Sequence, residues 1–159
     1  MTVQKLIKLG LYLNSPERAI ICTRCQYALQ PAGETVSKHL WEKHGTSQDE
    51  REGLNAFVRF LRLQDPNTLP LRTSGATQHP HLRLQAGLAC QECDYTTTSD
   101  HLIRRHINQT HSQVARADKR HHRGHLWTRV MLQCWTQSGR RSYWIVRSPN
   151  EDVEEVDLA

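Results

Sequence analysis

The chain lacks any apolar run near the roughly 20 residues that a membrane-spanning helix needs, which excludes a helical membrane protein. Met1 to Asn14 hold no long apolar stretch and no small-residue cleavage site, which argues against a secretory signal. Apolar residues are scarce too, at 37% of 159. A chain this polar does not easily bury one large core, and small units then need a staple such as a metal or a disulfide. No carboxylate pair and no nucleophile beside a base stands out, so the residues do not announce an enzyme. Acid is nearly missing from residues 101–147, where Asp118 stands against ten Lys and Arg and six His. Residues 148–159 invert this, with five acids and no base. The basic segment fits a polyanion, and the acidic end reads as a solvated tail closing a shortened chain.

Of the five cysteines, Cys22, Cys25, Cys90 and Cys93 form two C-x2-C pairs. In an intracellular chain that spacing points to metal rather than to disulfides. Each pair opens a similar stretch. Tyr27 and Tyr95 stand two residues after the second Cys, and Val36 and Ile103 stand three before a His. His39 and His44, then His106 and His111, complete a Cys2His2 pattern. Two Cys at a hairpin end and two His about one helical turn apart can surround one ion tetrahedrally. Zinc suits that donor set, and its binding supplies about 10–16 kcal/mol of folding energy to such peptides. His101 is a competing ligand for finger two, but seven residues after Cys93 leave too little chain for a strand and a helix. The expected cofactor is therefore two zinc ions, each with four protein ligands and no open position for catalysis.

The organisation expected is a small α+β protein: finger one in 1–46, a helix and Pro-containing linker in 47–86, finger two in 87–112. A basic His-rich linker (113–126), a β-hairpin (127–148) and an acidic disordered tail (149–159) follow. Ser47 and Glu50 form a capping box, after which Leu54, Phe57, Val58 and Leu61 make one apolar stripe. The stripe packs on a finger or docks a protein partner. Before finger one, Ile7 to Leu13 alternate like a strand, while Leu6, Leu9 and Leu13 fit a helical face; both readings stand. Arg129–Trp135 and Tyr143–Arg147 read as strands joined through Ser138-Gly139, with Trp127, Trp135, Tyr143 and Trp144 as packing and Cys134 as a buried thiol.

Counting back from the first ligating His, the base-reading helix positions are Ala32, Thr35 and Lys38 in finger one, and Ser99, Leu102 and Arg105 in finger two. Only Lys38 and Arg105 suit that task. Weakly specific backbone contact through Lys38, Arg104, Arg105, Lys119, Arg120 and Arg123 is the expected mode. The expected partner is nucleic acid, DNA before RNA, in the nucleus, with no membrane and no small-molecule substrate. The alternative is a zinc-dependent protein-interaction module.

These stretches resemble the fungal OrsD-like family. The matching residues are Leu11-Tyr12-Leu13-Asn14, Ile21-Cys22-Thr23-Arg24-Cys25, Ala28-Leu29, His39-Leu40, Gly87-Leu88-Ala89-Cys90, Cys93-Asp94-Tyr95, Leu132-Gln133 and Tyr143-Trp144-Ile145-Val146, spread over 6–147. The resemblance implies zinc at the eight ligands and no established reaction. Related fingers look like parts of mobile-element and recombination-associated proteins, which implies a DNA-linked role.

Overall fold

The structure is a computed structural model that describes residues 1–121, 126–137 and 142–147, without the side chains of 118–121. Arg123, the Ser138-Gly139 turn and the acidic segment 149–159 lie outside the described residues. The chain divides into two compact units.

The first unit holds 1–70, 79–83 and 134–137. Both readings of the N-terminal segment prove half right. Helix α1 (Val3–Lys8) starts where the Thr2 hydroxyl accepts from the Lys5 N–H, and strand β1 (Leu11–Asn14) follows. Gly10 separates them at φ 76°, a left-handed turn that glycine makes at little cost. Strand β1 pairs antiparallel with β2 (Ala19–Cys22), and β2 with β3 (Tyr27–Leu29). Finger one thus carries a third strand on its hairpin.

Helix α2 (Thr35–His44) ends at Gly45, where Gly45 N–H donates to Trp41 O and Thr46 N–H to Leu40 O. That paired cap stops the helix directly after the His44 ligand. The Ser47–Glu50 box forms as expected, with Ser47 N–H donating to Glu50 Oε2 and Glu50 N–H to Ser47 Oγ. It heads a run of turns, however, and helix α3 (Leu54–Leu61) begins only after Gly53. The apolar stripe turns inward. Leu54 and Val58 are buried with Leu6, Leu11, Ile20, Val36 and Leu40, and Phe57 and Leu61 pack against them. The stripe is thus core, as the packing reading expects, and Leu54 and Val58 are not surface that a partner could touch.

The Pro-containing stretch after Gln64 is more than a linker, because Leu82 and His79 from it are buried in this unit. His79 Nδ1 accepts from the His81 N–H at 3.1 Å, and Nε2 faces Asn14 Oδ1 at 3.3 Å. The Tyr12 ring lies against both imidazoles, so residues 79–81 are latched onto β1.

The second unit holds 71–78, the described residues of 84–133, and 142–147. Its sheet runs β5-β4-β6-β7, from β4 (Gln85–Cys90), β5 (Thr96–Thr97), β6 (Trp127–Gln133) and β7 (Trp144–Val146), all neighbours antiparallel. The two expected strands pair antiparallel as β6 and β7, and β6 also pairs with β4 of finger two along six residues. Gly87 on β4 makes room for this. A Cβ there would lie 2.2 Å from Leu132 Cδ1.

Helix α4 (Asp100–Thr110) is capped by Ser99, whose hydroxyl accepts from the Leu102 N–H, with Asp100 in the first turn. Of the residues expected as a linker, 113–121 are helical, as part of α5 (Ser112–His121). One small residue anchors it: Ala115 is buried with Cys90, Ile103 and Ile107.

Candidate metal centres

Finger one brings its ligands together by three local devices. Cys22 ends β2. Gln26, at φ 63°, folds the chain back so that its N–H donates to Cys22 O at 2.7 Å and Cys25 returns toward Cys22. His39 and His44 project from the last turns of α2, whose buried face (Val36, Leu40) fixes its rotation. Finger two repeats the plan, with Cys90 ending β4, His106 on α4 and His111 at the C-cap of that helix. There the Glu92 N–H points at Cys90 Sγ, 3.4 Å away, a bond that favours a thiolate.

All eight expected ligands assemble, and only they form such groups among the described residues. In each group the four donor atoms lie within 4.8 Å of one another. The imidazoles present Nε2. Cys22 Sγ is 3.2 Å from His44 Nε2, and Cys25 Sγ is 3.6 Å from His39 and 3.4 Å from His44. Cys93 Sγ is 3.2 Å from His106 and 3.4 Å from His111. Zinc bonds of about 2.3 Å to sulfur and about 2.0–2.1 Å to nitrogen put S and N roughly 3.5–3.6 Å apart along a tetrahedral edge. The observed separations match within a few tenths of an ångström, so the residues fit a zinc ion without rearrangement. His101 is exposed in the first turn of α4 and stands outside the group, so His106 and His111 are the helix pair of finger two.

The ionisation states suit the same ion. Burial lowers the imidazoles of His39, His44 and His106, with His44 adding to it at His39, Arg24 at His44 and His111 at His106. They are then neutral at pH 7, as a ligand must be. Burial raises the Cys25 thiol, helped by Cys22, and the Cys90 thiol. A cation must therefore displace their protons, which couples metal uptake to pH. The repeated tyrosines have a shared place that spacing alone does not reveal. Tyr27 meets His39 edge-on at 5.8 Å, and Tyr95 stacks on His106 at 4.0 Å, so each braces the first ligating imidazole.

The expected nucleic-acid contacts divide. Lys38 is exposed and pairs with Glu42 at 3.7 Å, an exposed pair worth little. Arg104 binds Asp100 Oδ2 at 2.7 Å and lies 5.1 Å over the Trp127 ring. Arg105 is exposed on α4, and Lys119 and Arg120 fall within α5. At the base-reading positions, Ser99 is committed to its cap, Thr35 Oγ1 donates to Ala32 O, and Leu102 is half-buried. Cys134 is buried with its thiol on Thr136 O, as expected of an inert thiol.

A family model described as OrsD, orsellinic acid/F9775 biosynthesis cluster protein D, matches residues 10–112. The match covers well over half the chain, including both ligand groups, and the chain belongs to that family. Strands β6 and β7 lie beyond the matched residues. No curated protein and no solved structure matches the chain. No helix among the described residues is long and apolar enough to cross a membrane.

Proposed function

We propose that this member of the OrsD family is a zinc-stapled, non-catalytic nucleic-acid-binding protein of the nucleus, with weak sequence preference and DNA as its main target. One observation carries the reading. Residues 112–121 of the basic segment after finger two form helix α5, which docks on the finger through Ala115. Arg104, Arg105 and Arg116 are all exposed on α4 and α5, so their charges ride on one metal-organised unit. Fixed cations lose less conformational entropy on meeting phosphates than tethered ones do. Four protein donors at each centre leave zinc a structural role, because a catalytic zinc keeps one position open.

The test has two stages. Protein purified without chelator should carry two zinc ions, and EDTA should abolish its circular dichroism signature. DNA affinity should then fall steeply between about 50 and 200 mM salt, and Arg104→Ala/Arg105→Ala/Arg116→Ala should flatten that slope by up to about 0.9 per lost phosphate contact on duplex. Binding that ignores salt would sink the proposal.

A second reading, a zinc-dependent protein-interaction module, draws on the first unit. Phe60 (77% exposed) on α3 and Ile7 (62%) on α1 are large apolar side chains left in solvent. Salt-insensitive capture of a protein, lost on Phe60→Ala, would favour it.

A further inference from the structure

The two centres share donors and spacing but differ in what surrounds their sulfurs. In finger one, Cys22 is fully buried among Leu6, Leu11 and Ile20, and Cys25 is half-buried against the same core. The Tyr27 hydroxyl reaches the Cys25 sulfur, and the contacts of these thiols with His39 and His44 are partly buried. In finger two, Cys90 is buried with Ile103, Ile107 and Ala115. Cys93 is exposed, which no other cysteine of the chain is. Its contacts with His106 and His111 are exposed as well. Tyr95 lies flat on the His106 ring, 16° from parallel, where Tyr27 stands edge-on to His39. Glu92 and Asp94 flank Cys93 in the chain, and both are exposed.

We propose that Cys93 is an oxidation site for neutral hydroperoxides, with Cys90 as its resolving partner, so that finger two is the oxidant-sensitive centre and finger one the resistant one. Cysteine oxidation follows thiolate character and access. Zinc takes its sulfur ligands as thiolates, so thiolate character is common to all four and access separates them. The exposed Cys93 sulfur attacks the O–O bond of the hydroperoxide and takes one oxygen as a sulfenic acid. The alkoxide leaves and picks up a proton. The Cys90 sulfur, within 4.8 Å of Cys93 Sγ, then attacks the sulfenic sulfur. An S–S bond forms, and the expelled hydroxide takes a second proton to become water. Two thiolates lose two electrons in all, and the hydroperoxide is reduced to an alcohol and water. The C-x2-C spacing is one that closes disulfides in redox proteins. The disulfide retains neither thiolate, so the centre loses two of its four donors and releases the metal. In finger one the same attack has to reach a half-buried sulfur. Charge sets the class of oxidant: Glu92 and Asp94 repel an anionic disulfide such as glutathione disulfide and leave a neutral hydroperoxide unaffected. The site stands without the nucleic-acid reading, and only its consequence rests on that reading. Helix α4 holds His106 and ends at His111, so release unties the helix that carries Arg104 and Arg105.

The experiment uses the full zinc-loaded chain and hydrogen peroxide in small excess, with a chromogenic chelator reporting released zinc. Samples are quenched in denaturant with iodoacetamide, reduced, and labelled with the heavy isotope of the same reagent, so that mass spectrometry reads the oxidation of each cysteine. The first of the two ions should appear together with the loss of reduced thiol at Cys90 and Cys93, while Cys22 and Cys25 stay reduced. Dithiothreitol with added zinc should restore two ions per chain. Glutathione disulfide at the same concentration should release the ion more slowly; equal rates would overturn the assignment of the oxidant. Oxidation of Cys22 and Cys25 first, or of both pairs together, overturns the proposal, because access then does not order the centres. If zinc appears as fast without peroxide, finger two leaks metal and the oxidation step is wrong. If Cys93 is oxidised while Cys90 stays reduced, the resolving role is wrong. The readout contains no nucleic acid, so its failure leaves the nucleic-acid reading untouched.

Discussion

Gly87→Ala offers a prediction in which two effects oppose each other and the structure decides the sign. Gly87 lies inside β4 with no left-handed φ, so its backbone suits alanine. On chain entropy alone the substitution should stabilise by about 0.4–1 kcal/mol. The added Cβ would stand 2.2 Å from Leu132 Cδ1, 2.9 Å from Leu132 Cγ and 3.0 Å from the backbone oxygen of Thr97. Leu132 is fully buried, and the Thr97 oxygen belongs to the neighbouring strand β5, so neither neighbour yields freely. Overpacking of this kind costs about 1–3 kcal/mol. The clash wins, and the net loss is about 0.5–2 kcal/mol. The assay is hydrogen exchange read by mass spectrometry on peptides from β4 and β6, with excess zinc. At tenfold per roughly 1.4 kcal/mol, exchange should quicken about 2- to 30-fold there, while peptides from β1 and β2 stay unchanged. Leu132→Ala removes the clashing atoms. The Thr97 oxygen stays, so in that background Gly87→Ala should do less harm than in the wild type, although Leu132→Ala itself costs about 2–5 kcal/mol. Slower exchange in Gly87→Ala would refute the reasoning, because it would mean that β4 and β6 do not pack as closely as described.

Three further outcomes follow from the centres. His101→Ala should keep two zinc ions per chain by mass spectrometry under native conditions, whereas His106→Ala should retain one; loss of zinc from the first variant would reassign the ligand. Ser99→Ala removes the hydroxyl that caps α4 and should cost about 1 kcal/mol, read as faster exchange at Leu102 and Ile103; an unchanged rate would mean the cap carries no stability. Zinc uptake near pH 7.5 should release about two protons per ion, measured by calorimetry in buffers of different ionisation enthalpy. The protons come from thiols, because burial holds Cys25 and Cys90 protonated while it holds His39, His44 and His106 neutral. Affinity should therefore rise with pH, and acid should release the metal as imidazoles that the site keeps neutral take up protons outside it. Release of about four protons per ion would refute the neutral imidazoles.

The eight ligands could be read in advance because chelation is a short-range constraint. Two sulfurs on one tight turn and two imidazoles about a helical turn apart must recur at fixed spacing, whatever surrounds them. The stripe of α3 and the Ser47–Glu50 box were legible for the same local reason, although Gly53 moved the start of the helix. The family match over 10–112 agrees with the resemblance carried by those motifs.

Three features needed the folded chain. Helix α5 has no apolar period, and among its described side chains Ala115 is the one buried against finger two, with Cys90 of β4 twenty-five residues earlier as part of that contact. His79 resembled any histidine in a Pro-rich stretch until β1, 65 residues earlier, supplied Asn14 as its partner. The hairpin was visible, but its pairing with β4 was not, because Gly87 and Leu132 meet across a long separation. Local chemistry and spacing, written in neighbouring residues, determined which side chains form the two groups that could hold a metal ion. Which surface remains open around it was decided only by long-range packing, whose partners the sequence does not place side by side.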